Sequence, residues 1–118
     1  MALTIYHNPR CSKSRQTLEI IRDAGVEPDI IRYLEDAPSA DTILLLAGQL
    51  GLRVADLLRR KESEFRAADD LPDLDDDEAL AAWLAGHPKV IERPIVVDVD
   101  AGRAVLGRPP ENVRALLG

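Results

Sequence analysis

The chain has 118 residues, 46% of them hydrophobic and 31% charged, which is enough apolar material for a core without metal or disulfide staples. That balance excludes a disordered chain, and no apolar run approaches the ~20 residues of a membrane span. A net charge of −6 excludes a general basic field for nucleic acid or an anionic membrane, so any anion site has to be local.

Leu3 to Tyr6 is a short apolar run with β-branched residues, closed by Asn8-Pro9, and predicts a strand entering a loop. From about Ser14 to Ala24 the apolar residues recur at helical spacing. Ser12 or Ser14 can cap that helix and Gly25 stops it. Asp29 to Leu34 predicts a second strand, completing a βαβ unit with parallel strands. Pro38-Ser39 opens a helix with Ile43, Leu44, Leu46, Ala47 and Leu50 on its apolar face, ended by Gly51. Val54, Leu57 and Leu58 suggest a further short helix. The acidic run Asp69 to Glu78 reads as a solvated loop whose end supplies the charged first turn of a helix carrying Leu80, Trp83 and Leu84.

Beyond Pro88 the periodicity changes. Lys89 to Ile91 and Ile95 to Val99 are β-rich and separated by Arg93-Pro94. Asp100-Ala-Gly102 predicts a hairpin turn into Ala104 to Leu106, and Pro109-Pro110-Glu111 starts a terminal helix. The order predicts one α/β domain, 1–118, with a mixed sheet and a helical insertion at about 38–87 between a βαβ half and a ββα half.

Chemistry concentrates in HNPRCSKSR, His7 to Arg15, which holds the only cysteine. One cysteine excludes an intrachain disulfide and a cysteine-based zinc cluster, and suits a reducing compartment. The start MALTIYHNP has the pattern of neither a signal peptide nor an anchor, so the expected location is cytoplasmic. A lone cysteine most often fills a core. Cys11 instead sits just before a helix, where unpaired N–H groups and the helix dipole favour a thiolate and can hold an oxyanion. Arg10, Lys13 and Arg15 add positive charge, and His7 can donate a hydrogen bond or, when protonated, a charge. Arg59, Arg60, Arg93 and Arg108 are further candidates, since a guanidinium fork suits a tetrahedral oxyanion. The residues alone do not choose between Arg59 and Arg60.

Five motifs together carry a family resemblance. They are HNPRCSKSR, YLE at Tyr33 to Glu35, LLRRKE at Leu57 to Glu62, ERPIVV at Glu92 to Val97 and GRPPE at Gly107 to Glu111. In that order, over essentially the whole chain, they resemble the glutaredoxin-linked arsenate reductases, a superfamily that also contains Spx-type regulators of RNA polymerase. The sequence departs from the best-known members in having Arg10 before the cysteine and Ser12-Lys13-Ser14 after it.

The resemblance implies a thioredoxin-like fold, with Cys11 as the attacking nucleophile and His7 supporting it as the second catalytic residue. It implies that Arg59, Arg93 and Arg108 bind arsenate and that the peptide bond before Pro94 is cis. Asn8, Arg10, Ser14, Arg15 and Pro94 are expected to support the site. With no second cysteine, an external thiol has to resolve a cysteine–arsenic adduct. Glutathione as co-substrate and glutaredoxin as partner are therefore expected, with no tightly bound cofactor, no metal site and a monomeric chain. Two alternatives use the same fold: a glutathione-dependent thiol–disulfide reductase of other substrates, and an Spx-like transcriptional regulator. The redox-switched form of the latter needs a Cys-x-x-Cys pair, and here Ser14 stands at the second position.

Overall fold

A computed structural model describes residues 1–118. Residues 1–36 and 93–118 form one unit and residues 37–92 a second.

The first unit is built on a four-stranded sheet of β1 (Leu3–Tyr6), β2 (Asp29–Ile31), β3 (Ile95–Asp98) and β4 (Arg103–Leu106), in the order β2-β1-β3-β4. β1 and β2 run parallel, with Ile5 opposite Ile30, and helix α1 (Ser12–Asp23) connects them. β3 lies antiparallel to both β1 and β4, with Ile5 opposite Val96 and Val96 opposite Val105. The sheet is therefore mixed, as the sequence predicts. Leu3, Ile5 and Val96 share one buried cluster with Leu18 and Ile21 of α1, and with Val113 and Leu116 of the C-terminal segment. The spacing of Leu18 and Ile21 thus describes the face of α1 that this cluster covers. Ile95 and Val97 are buried as well, which fits β3 as an interior strand with two covered faces. The β3–β4 turn closes through the Gly102 N–H to the Asp98 carbonyl (2.9 Å), with Gly102 at φ 65°, a conformation that suits glycine.

The second unit is helical: α2 (Ala40–Leu50), a 3-10 turn over Val54–Leu57, the single turn α3 (Ser63–Arg66), α4 (Asp77–Ala85) and a 3-10 turn over Pro88–Val90. Its core gathers Ile43, Leu46, Val54, Leu57, Leu80, Trp83, Leu84 and Val90, all buried. The Ser39 hydroxyl caps α2 by accepting from the Thr42 N–H, and Gly51 ends it in the left-handed region. Asp76 caps α4 by accepting from the Ala79 N–H at 3.1 Å, so the end of the acidic run does supply the helix start. Trp83 donates its indole N–H to Asp70 at 3.0 Å and stacks on the His87 ring at 4.0 Å. No helix in the chain is long and apolar enough to cross a membrane.

Four local expectations need correction. β2 ends at Ile31 rather than Leu34, because the Glu35 and Asp36 N–H groups fold back onto the Arg32 carbonyl as a turn. Lys89 to Ile91 is not a strand: Pro88–Val90 is a 3-10 turn, and Ile91 makes only an isolated bridge to Leu58. Pro88 favours the helical φ at the start of that turn and overrides the β-propensity of Val90 and Ile91. The terminal segment Pro110–Leu116 is 3-10 rather than α. Neither Ser12 nor Ser14 caps α1; Cys11 occupies the cap position and Ser14 is turned inward.

Candidate active site

The loop from His7 to Cys11 leaves the carboxyl end of β1 and enters α1. The His7 N–H bonds the Ile31 carbonyl at 2.8 Å, which ties the loop's first residue to the end of β2. Asn8 then makes the bend. Its side-chain Oδ1 accepts from the Arg10 N–H at 3.0 Å, and its carbonyl accepts from the Cys11 N–H at 3.0 Å. Arg15 reaches back to donate to the Pro9 carbonyl at 2.9 Å.

Ser14 locks this arrangement from inside. It is 0% exposed, and its hydroxyl oxygen accepts from the Asn8 N–H at 3.1 Å while pairing with His7 Nδ1 at 2.6 Å. His7 is itself 6% exposed, and its pKa lies below the ordinary histidine value. Burial is the main cause, with the charges of Arg32, Arg22 and Arg15 adding to it. His7 is therefore neutral at pH 7, and the hydrogen bond its ring makes is to the Ser14 hydroxyl; the groups that act on the Cys11 thiol are Ser14, Lys13 and Arg93.

Cys11 caps α1 with its thiol half-buried. Partial burial by itself pushes the thiol pKa up. The Ser14 N–H, a hydrogen bond from the Arg93 side chain, the Lys13 N–H and the charge of Arg93 oppose it, and the net result lies below the ordinary thiol value. The charge next to the sulfur thus comes from Arg93, far along the chain, rather than from the neighbouring Arg10 and Lys13. Arg108 Nη1 stands 4.0 Å from Cys11 Sγ and 3.3 Å from the Arg93 carbonyl oxygen. Both arginines precede a proline in a cis peptide bond, Arg93–Pro94 and Arg108–Pro109. The first is the bond expected from the resemblance; the second is an addition to it.

These two arginine loops are held against α1 by residues the sequence analysis did not select. The Gly107 N–H bonds the Pro94 carbonyl at 2.9 Å. A side chain at 107 has no room, since a Cβ there would lie 2.5 Å from Thr17 Oγ1 and 2.7 Å from Pro94 Cγ. Thr17 is 0% exposed and bonds the Lys13 carbonyl at 2.7 Å. Asn112 donates to the carbonyls of Leu106 (3.1 Å) and Arg108 (3.2 Å), fixing the second loop. Thr17 had one signal: a polar residue on the same helical stripe as Ser14, Leu18 and Ile21. Asn112 had none.

The structure therefore gathers Cys11, His7, Asn8, Ser14, Arg93, Pro94 and Arg108 in the first unit, with Arg10 and Arg15 on the exposed side of the loop. Arg59 belongs to residues 37–92, where its N–H bonds the Val90 carbonyl at 2.7 Å. Its side chain lies between two carboxylates, 3.4 Å from Glu62 and 3.5 Å from Glu92. Arg60 is more exposed and sits over the Phe65 ring at 6.0 Å.

A mixed sheet whose first strand feeds a thiolate at a helix start, faced by a cis-proline loop, defines a thioredoxin-like protein. Two arginines beside the sulfur set it apart from a plain dithiol carrier. The chain belongs to the ArsC family, whose model matches residues 6–116. It is 44% identical over 115 residues to uncharacterized protein YfgD of Escherichia coli K12, covering 97% of this chain and 95% of that relative. It is also 44% identical over 115 residues to an Escherichia coli arsenate reductase, covering 98% of this chain and 80% of the other. Among solved structures, an arsenate reductase from Vibrio cholerae superposes with a TM-score of 0.85 at 45% identity, covering 98% of this chain and 97% of that one.

Proposed function

We propose that this protein is an oxidoreductase that reduces arsenate to arsenite through Cys11, using an external thiol. One observation carries the reading: the only thiol is stabilised as a thiolate at a helix start with the guanidinium groups of Arg93 and Arg108 beside it. A nucleophile next to two oxyanion donors suits attack on a tetrahedral oxyanion. The names of the relatives point to the same substrate.

In the proposed sequence, arsenate docks at the start of α1 with its oxygens on the Arg93 and Arg108 side chains. The Cys11 thiolate forms a sulfur–arsenic bond while an arsenic–oxygen bond breaks, and the oxygen leaves as water after taking protons from solvent. Arsenic is still pentavalent at this point. The thiolate of a glutathione-type donor then attacks Cys11 Sγ. A sulfur–sulfur bond forms, and the sulfur–arsenic bonding pair passes to arsenic, which leaves as arsenite. Two sulfurs have lost one electron each and arsenic has gained two. A dithiol protein such as glutaredoxin attacks the mixed disulfide and restores the Cys11 thiolate. Arg59 is assigned to the oxyanion on the family resemblance alone.

The test is arsenate-dependent NADPH oxidation, coupled through glutathione, glutaredoxin and glutathione reductase. Cys11→Ser should abolish turnover, and Arg93→Ala should lower kcat/KM for arsenate by roughly 10²–10³-fold, the usual loss when one oxyanion donor is removed. An inactive wild type whose thiol remains readily alkylated at neutral pH would remove arsenate as substrate and leave thiol–disulfide exchange on protein mixed disulfides.

A further inference from the structure

A second concavity lies beside the thiol loop, and nothing in the chemistry above uses it. It is a cleft of about 200 Å³ lined by His7, Asn8, Pro9, Arg10, Arg32, Leu34 and Glu35, all within the first unit. It opens where the parallel strands β1 and β2 both end, and the loop from β1 to Cys11 forms one wall. The crevice outside the carboxyl ends of parallel strands is where α/β sheets commonly take ligands. The buried His7 and Asn8 form its floor, whereas Arg10, Arg32 and Glu35 are exposed at its rim. Arg22 and Arg53 are engaged in ion pairs with Glu27 and Asp77, but neither rim arginine nor Glu35 takes part in a salt bridge.

We infer that this cleft holds the charged, amino-acid-like end of the thiol donor, with Arg32 and Arg10 on its carboxylate, Glu35 on its ammonium group, and Pro9 and Leu34 against its aliphatic stem. The inference rests on the external-thiol reading of the function. Charge is the first support. Two cations and one anion around a single small cleft match a zwitterion, and they do not match arsenate, which Glu35 would repel. Size is the second. The cleft is smaller than the ~300–1,000 Å³ that enclose a whole drug-sized ligand, so it suits one end of a tripeptide rather than all of it. Reach is the third. Arg10 and Cys11 are consecutive, with Cα atoms about 3.8 Å apart, and an extended tripeptide spans about 10 Å, so a donor anchored here can bring its sulfur to Cys11.

The probe is S-methylglutathione, which keeps both charged ends and cannot react, titrated calorimetrically into the full chain without arsenate. Binding that weakens roughly tenfold or more in Arg32→Ser, as expected for a lost charge-assisted contact, supports the cleft. Equal affinity in wild type, Arg32→Ser and Glu35→Gln overturns it. In turnover, Arg32→Ser should raise the KM for glutathione by a similar factor and leave the KM for arsenate as it was. Turnover driven by 2-mercaptoethanol, which lacks both charged ends, should not change; a parallel fall with that donor would also overturn the assignment. The two readings fail separately. A wild type that binds the probe through Arg32 but reduces no arsenate loses the substrate assignment and keeps the cleft. One that reduces arsenate with no Arg32-dependent probe binding does the reverse.

Discussion

Ser14 carries two hydrogen bonds on one buried oxygen, and both partners belong to the loop that presents the thiol. Ser14→Ala leaves the Asn8 N–H and His7 Nδ1 without their partner in a site closed to water. The expected loss is about 1–3 kcal/mol of unfolding free energy, measured by urea titration. At the sulfur, Arg93 contributes both a hydrogen bond and a charge to the thiolate. Arg93→Ala should therefore shift the thiolate's ultraviolet absorbance titration to higher pH, while Arg10→Ala should leave it nearly in place; a reversed ranking would return the charge to the local sequence. At this scale much was legible. The Cys11, Arg93 and Arg108 motifs named side chains that do meet. The charge around the thiol was misattributed, because chain neighbours such as Arg10 and Lys13 point to solvent while distant arginines fold over the sulfur. Thr17 and Asn112 act on backbone carbonyls of other loops, and no local pattern announces such contacts.

Helix α1 does two jobs at its N-terminal end. Its backbone N–H groups face the thiol, and its buried polar side chains, Ser14 and Thr17, seat the loops that bring in the arginines. The second job depends on Gly107. Gly107→Ala forces a Cβ into Thr17 and Pro94, with an expected cost of about 1–3 kcal/mol, the usual range for overpacking. Adding Thr17→Ala should recover part of that loss in a double-mutant cycle; strict additivity would show that the crowding is not shared. The elements themselves were largely readable from periodicity and punctuation: β1, α2 between Ser39 and Gly51, α4 after Asp76 and the β3–β4 hairpin all appear where the pattern put them. The misreadings fall at prolines and strand ends. Pro88 turned an apolar triplet into a 3-10 turn, and β2 stopped after three residues because its hydrogen-bonded partner, β1, ends opposite Ile31.

For the molecule as a whole, pH dependence follows from His7. Its folded pKa is lowered, so the folded state binds fewer protons than the unfolded chain below the ordinary histidine pKa of about 6.5. The stability it contributes is complete above that pH and is lost as pH falls through the lowered folded value. Denaturation midpoints should decline on acidification across that window, and His7→Gln should flatten the decline; an unchanged slope would assign it to the carboxylates. The depressed Cys11 pKa has the same sign: thiolate stabilisation is present above the unfolded thiol pKa and lost as pH falls through the folded one.

The chain's single cysteine and single tryptophan have a practical consequence. Cys11 lies in the unit formed by 1–36 and 93–118, and Trp83 is buried in 37–92. Each half of the molecule therefore contains its own intrinsic reporter: the ultraviolet absorbance of the Cys11 thiolate follows the thiol loop, and indole fluorescence follows the helical segment. In one denaturant series the two signals can be recorded without adding any label. Coincident curves would make the whole chain one cooperative folding unit, and separated curves would give each half its own stability.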